Sequence, residues 1–338
     1  MPIRLSVRRL FARLTATVML VSTSALADPL LADFDYGEPV QHFSLVSQGQ
    51  ALDMAYLDLA PRGQLQGTVV LLHGKNFCAA TWRDTTEALR KAGYRVIAPD
   101  QIGFCKSSKP PGYQYGLHTL AANTNALLNA LEIERPIIMG HSMGGMLAAR
   151  YALQYPDSTG ALVMVNPIGL EDWRAKGVPN ATVDNLYAAQ KKTTRDSIKA
   201  YQQSTYYVGT WQPGYDEWVD MLWSMYQGAG GDIVAWHQAL TADMIFNQPV
   251  VHEFPSLRVP TLLLIGEQDN TALGKARAPA SLRDRLGNYS VLATETEAAI
   301  PDARLITFKD LGHSPHIEAA DRFHKALLPA LKSLKTSP

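Results

Sequence analysis

Hydrophobic and polar positions along this chain fall into two regimes. Over residues 41–46 and again over 52–59 they alternate, with Ser47-Gln48-Gly49-Gln50 between the two stretches. Period-two alternation marks strands with one solvated face, and the polar and Gly residues between them mark a turn, so an antiparallel pair is expected here. From residue 68 the pattern changes to short apolar or β-branched runs, at 68–72, 95–98, 136–139, 161–165, 261–265 and 305–308. Strands apolar on both faces belong in a parallel sheet covered on both sides. Helix-length amphipathic stretches separate most of them, at 81–92, 117–131, 144–155 and 318–334. The pattern therefore predicts an α/β fold.

The interval between the runs at 161–165 and 261–265 breaks this rhythm. It holds five of the six Trp (Trp173, Trp211, Trp218, Trp223, Trp236), together with Tyr201, Tyr206, Tyr207, Tyr215 and Tyr226. A structureless loop of that length is uncommon in a compact domain. The expected organisation is a core over 28–170 and 251–338 with a helical cap over 171–250 inserted into it, its aromatic residues first of all a means of packing small helices.

Residues 1–27 have a different character. Arg4, Arg8, Arg9 and Arg13 precede an apolar and small-residue stretch over 14–26, no acid occurs before Asp28, and Ala25-Leu26-Ala27 has a small-x-small form. This is the pattern of a secretory signal peptide cleaved before Asp28, which implies a periplasmic or secreted protein. The apolar run is too short for a stable membrane anchor, and Arg8-Arg9-Leu10-Phe11 loosely resembles a twin-arginine signal.

Composition narrows the classes. With 338 residues, 46% hydrophobic, 24 Gly and two Cys, the chain is neither disordered, collagen-like nor a disulfide scaffold. The full chain balances 31 basic against 31 acidic side chains; without residues 1–27 the balance is 27 against 31. Such a charge gives no footprint for nucleic acid, and no Cys/His spacing suits zinc.

The chemistry concentrates at the ends of the apolar runs. Gly140-His141-Ser142-Met143-Gly144 follows the run at 136–139 and opens a small-residue helix, the setting a Gly-x-Ser-x-Gly nucleophile elbow requires. A serine hydroxyl needs a base, and the base needs an orienting acid. Asp269 follows the run at 261–265, and His313 follows the run at 305–308. Carboxyl ends of parallel strands lie on one edge, so residues distant in sequence can meet there. Asp100 and Asp243 are the alternative acids. His73-Gly74-Lys75-Asn76 follows the run at 68–72 and suits an oxyanion hole, with backbone N–H groups from Met143 and from Lys75, Asn76 being the competing donor. His73 and His141 are expected to position their loops, and His316 and Glu318 to start a helix beside His313.

These residues make the chain resemble the α/β-hydrolase superfamily, in its capped branch of carboxylesterases, C–C bond hydrolases and haloperoxidase-like enzymes. The stretch Pro99-Asp100-Gln101-Ile102-Gly103-Phe104 adds to the likeness. The resemblance implies an eight-stranded, mostly parallel sheet with the cap between strands six and seven. Epoxide hydrolases and dehalogenases of the branch carry Asp where this chain has Ser142, which speaks against both. The branch often has Gly where Cys105 stands. That departure, with Cys78 just past the oxyanion loop and an oxidising compartment, suggests a Cys78–Cys105 disulfide.

The sequence thus leads to an exported serine hydrolase acting on a small-molecule ester through Ser142, Asp269 and His313, a mechanism needing no metal or organic cofactor. C–C bond or amide hydrolysis by the same residues, including proline iminopeptidase-like activity, is the second reading. A non-catalytic binding protein of the same fold is the third.

Overall fold

The computed structural model describes residues 30–334, so the export signal read over 1–27 lies outside the described residues. Eight strands form one sheet: β1 Gln41–Ser47, β2 Gln50–Leu59, β3 Gly67–Leu72, β4 Tyr94–Pro99, β5 Ile137–His141, β6 Ala161–Val165, β7 Thr261–Gly266 and β8 Ala303–Phe308. Their order is β1-β2-β4-β3-β5-β6-β7-β8. The alternating segments pair antiparallel and the remaining strands run parallel, with β2 joining the two parts against β4. Gln48 and Gly49 turn the hairpin with φ of 52° and 73°, the left-handed pair that matches strand twist in a two-residue turn.

Burial explains the runs. Val69, Val70, Leu71 and Leu72 of β3 and Leu262, Leu263, Leu264 and Ile265 of β7 are fully buried, because helices cover them from both sides. The chain steps from β3 toward one edge to make β4, then crosses back to β5 and continues the other way to β6. With right-handed crossovers, that reversal puts helix Arg83–Lys91 on one face and helices Leu117–Ala130 and Met143–Gln154 on the other. It also makes β3 and β5 neighbours across the switch point, where Leu72 is paired with Gly140. The loops that follow these two strands are thereby set side by side.

The expected core helices appear, the last divided into Pro315–Glu318 and Ala320–Ser333. A further helix, Tyr289–Ala299, connects β7 to β8 where no helix was expected. Between β6 and β7 lie four helices, Val183–Gln190, Arg195–Tyr201, Asp216–Tyr226 and Gly231–Asn247, with a π-helical turn over Gln202–Tyr206. Their packing is aromatic: the rings of Tyr207 and Tyr215 stack at 3.7 Å, with Trp211 edge-on to both. Among the described residues, no helix is long and apolar enough to cross a membrane.

Candidate active site

Only Ser142 separates β5 from helix Met143–Gln154, and the turn forces it to φ 56° and ψ −120°, a strained conformation for a residue with a side chain. Close approach dictates the glycines. A Cβ on Gly140 would lie 1.9 Å from the Gly144 carbonyl oxygen, and one on Gly144 would lie 2.1 Å from that of Leu72. The serine is thus lifted out of a backbone crossing too tight for any other residue on either side.

The loop after β3 lies directly over this turn. A Cβ on Gly74 would come within 3.1 Å of Ser142 Cβ and 3.0 Å of His141 Nδ1. His73 holds the loop: Nδ1 donates to the Gly74 carbonyl at 2.8 Å, and Nε2 accepts the Gln101 N–H at 3.0 Å. Those two bonds need a neutral ring, and burial lowers the His73 pKa accordingly. Met143 is the first residue of its helix, so its N–H has no intrahelical acceptor. Within the described residues, the N–H groups of Lys75 and Asn76 are likewise not taken by another part of the chain. The Asn76 side chain is committed elsewhere, donating to Tyr206 Oη at 2.9 Å.

Asp269 follows β7 and His313 follows β8, neighbouring strands, and the structure brings the two together. His313 Nδ1 donates to Asp269 Oδ2 at 2.6 Å, with both side chains fully buried. This fixes the proton on Nδ1 and leaves Nε2 as the basic nitrogen, buried and without a hydrogen-bond partner. The Ser142–His313 hydrogen bond is not formed in this state, as is common before substrate binds. Three contacts hold the His313 loop. His141 Nε2 donates to the His313 carbonyl at 2.8 Å, Glu318 accepts the Gly312 N–H at 2.8 Å, and the Tyr206 ring lies 4.8 Å from the His313 ring. His316 packs between Trp82 and His141, and burial drives His141 and His316 well below the usual histidine range.

The alternative acids are occupied elsewhere. Asp100 accepts from Tyr36 Oη at 2.7 Å and the Ala79 N–H at 2.8 Å, and Asp243 accepts from Asn247 at 2.9 Å. Cys78 and Cys105 face each other with Cα atoms 5.9 Å apart, within the span of a bridged pair. Cys105 has φ 45°, which gives a backbone reason for the Gly often found there in the branch.

Asn166 was not anticipated. It follows β6, donates to Asp269 Oδ2 at 3.0 Å, and exchanges bonds of 3.1 and 2.8 Å with the Gly266 main chain. With the Thr271 N–H on Oδ1 at 2.8 Å, it fixes the carboxylate toward His313. The available signal was a polar Asn-Pro step directly after a buried strand, on the same sheet edge as the other site residues. Gln238, from helix Gly231–Asn247, also went unread: Lys75 Nζ donates to Gln238 Oε1, and Gln238 Nε2 donates to the Lys75 carbonyl at 3.3 Å. Burial pulls the Lys75 ammonium down to about 7. Ser142 opens into a cavity of 540 Å³ bounded by Lys75, Asn76, Tyr206, Ile168 and Ile245. A buried His–Asp pair, a strained serine and free N–H donors beside a cavity are the parts that acyl transfer requires.

Known proteins share this arrangement of fold. The family model for the alpha/beta hydrolase fold matches residues 67–320. A solved structure described as a probable hydrolytic enzyme from Pseudomonas aeruginosa is 56% identical, with a TM-score of 0.89 over 90% of this chain and 98% of that one. The 2-hydroxy-6-oxo-2,4-heptadienoate hydrolase of Pseudomonas putida is 29% identical over 46% of this chain, a match spanning 63% of that enzyme. Lipase 1 of Psychrobacter immobilis is 26% identical over 78% of this chain and 76% of the lipase.

Proposed function

The chain belongs to the alpha/beta hydrolase family, and on that premise we propose that it is an exported serine hydrolase cleaving a carboxylic ester through an acyl-enzyme on Ser142. The observation that carries this reading is the strained Ser142, at φ 56°, beside a fully buried His313–Asp269 pair. Ser142 Oγ attacks the ester carbonyl as His313 Nε2 takes its proton. Asp269 keeps the ring oriented and stabilises the imidazolium without itself accepting the proton. The Met143 and Lys75 N–H groups receive the negative charge on the former carbonyl oxygen, each such donor being worth about 3 kcal/mol in the transition state. Collapse expels the alkoxide, protonated by His313. Water, deprotonated by His313, then attacks the acyl group and releases the acid and free Ser142.

In this reading residues 1–27 direct export, Cys78 and Cys105 form a disulfide in the oxidising compartment, and the helices over 171–250 act as a cap that selects substrates. The arginine-rich, acid-free start of the chain and the facing cysteines support it. Hydrolysis of p-nitrophenyl butyrate and labelling of Ser142 by a fluorophosphonate probe are expected. Ser142→Ala should lower kcat/KM by roughly 10⁴-fold or more. Equal activity in that variant rejects the mechanism.

The likeness to a 2-hydroxy-6-oxo-2,4-heptadienoate hydrolase supports a second reading, C–C bond cleavage by the same residues. The nucleophile, base and oxyanion donors are unchanged and only the leaving group differs, so parallel assays on esters and on vinylogous 1,5-diketones separate the two.

A further inference from the structure

The cavity at Ser142 has a neighbour. A second chamber of 330 Å³ lies among the helices between β6 and β7, walled by Ser197, Gln202 and Tyr226, and Lys75 and Arg277 line both spaces. The charges around the two chambers are one-sided. Lys75, Lys275, Arg277 and Arg283 contribute to the walls, and no Asp or Glu does.

Elsewhere eight arginines meet carboxylates, among them Arg83 with Glu217, Arg95 with Asp58, Arg150 with Glu253 and Arg322 with Asp310. The four basic groups of the chambers instead rest on neutral partners within the described residues. Lys75 donates to the Gln238 amide, Lys275 to the carbonyls of Asn270 and Leu286, and Arg283 to those of Ala276 and Ala278. Arg277 donates to the Pro179 carbonyl at 3.2 Å and lies 5.6 Å from the Phe246 ring centre. Carbonyls and amides position a cation but leave its charge uncompensated. The Lys75 ammonium, pulled down to about 7 by burial, lacks the countercharge that a bound anion would supply.

Gln202 is the independent observation. It is fully buried at the wall of the second chamber, and neither its Oε1 nor its Nε2 has a hydrogen-bond partner. Buried amides are nearly always satisfied, so an orphaned one calls for an explanation. Gln202 also opens the π-helical turn Gln202–Tyr206, a local widening often found at functional sites.

We propose that the two chambers form one substrate channel and that the second is a subsite for a free carboxylate on the substrate, held by Lys75 and Arg277 with Gln202 donating through Nε2. The substrate class is then an ester bearing a second, ionised carboxyl group, such as a monoester of a dicarboxylic acid. This deepens the ester reading and rests on it. A neutral ester would fill the Ser142 cavity but leave the cations and the amide unmatched. An acidic ester satisfies both.

The test is calorimetric titration of Ser142→Ala protein with the monomethyl and dimethyl esters of succinic, glutaric and adipic acids. At the best-fitting length the monoacid should bind at least about tenfold more tightly than its diester. Arg277→Met and Gln202→Leu, each added to Ser142→Ala and checked for an unchanged circular dichroism spectrum, should bring that ratio within threefold of unity. A diester that binds as well as its monoacid at every length overturns the proposal, as does a ratio that survives both substitutions. Wild-type cleavage of p-nitrophenyl butyrate and of the same monomethyl and dimethyl esters reads the parent function separately. A neutral-ester hydrolase without acid preference loses only the subsite, whereas acid-selective binding without ester cleavage keeps the subsite and loses the ester reading.

Discussion

Glu318 carries its carboxylate at the foot of the His313 loop, where it accepts the Gly312 N–H. Burial, partly offset by that bond, raises its pKa to about 7 from an ordinary 4.5. Between those values the native state holds a proton that the unfolded chain has released, so stability falls as pH rises through this window and levels off above it. Glu318→Gln keeps an acceptor for Gly312 and never ionises. Its melting temperature relative to wild type should therefore climb between pH 5 and pH 8, and a gap that stays constant across melts at the two pH values rejects the assignment. Residues differ in how far sequence exposes their part. Asp269 and His313 are legible because each follows an apolar run in a loop of its own. Asn166 acts on a partner 103 residues away through one side-chain amide, and the Asn-Pro step after its strand marks the residue but not that partner. The basicity of Glu318 is equally hidden, since it depends on what the fold stacks around it.

Whole elements were easier to read than their connections. The strands announce themselves because the inner parallel ones, β3 to β7, are buried on both faces and β1 on one, two signals that differ in period. Helix Tyr289–Ala299 escaped because its buried face is Tyr289, Leu292, Ala293 and Thr296, of which only two are strongly apolar. The π-helical turn at Gln202–Tyr206 has no sequence period of its own. Cys78 begins the 3₁₀ turn Ala79–Trp82 after β3, and Cys105 lies in the loop after β4, so a bridge between them ties two loops of the site edge across 27 positions. A closed loop of that size is worth roughly 3–4 kcal/mol in lost unfolded-state entropy. Protein isolated without reductant should titrate no free thiol in denaturant, and dithiothreitol should lower its melting temperature by several degrees. Two titratable thiols in the untreated protein overturn the bridge.

At the scale of the molecule, charge links chain processing to surface. On the proposed cleavage, loss of residues 1–27 would remove four Arg and no acid, turning a balanced chain into one with 27 basic and 31 acidic side chains. Protein recovered from the periplasm of an exporting host should begin at Asp28 by N-terminal sequencing and focus at a more acidic pH than the full chain. An intact Met1 on that fraction excludes cleavage.

The segment between β6 and β7 does more than cover the cavity, because helix Gly231–Asn247 and the π-helical turn are both moored to the loop after β3. Tyr206 accepts from Asn76, and Gln238 engages both the ammonium and the carbonyl of Lys75. The inserted segment is consequently not an interchangeable part. A chimera carrying a foreign insert would release Lys75 and Asn76 unless it brought acceptors of its own. Drift toward new substrates is then constrained to change both ends of each tether together.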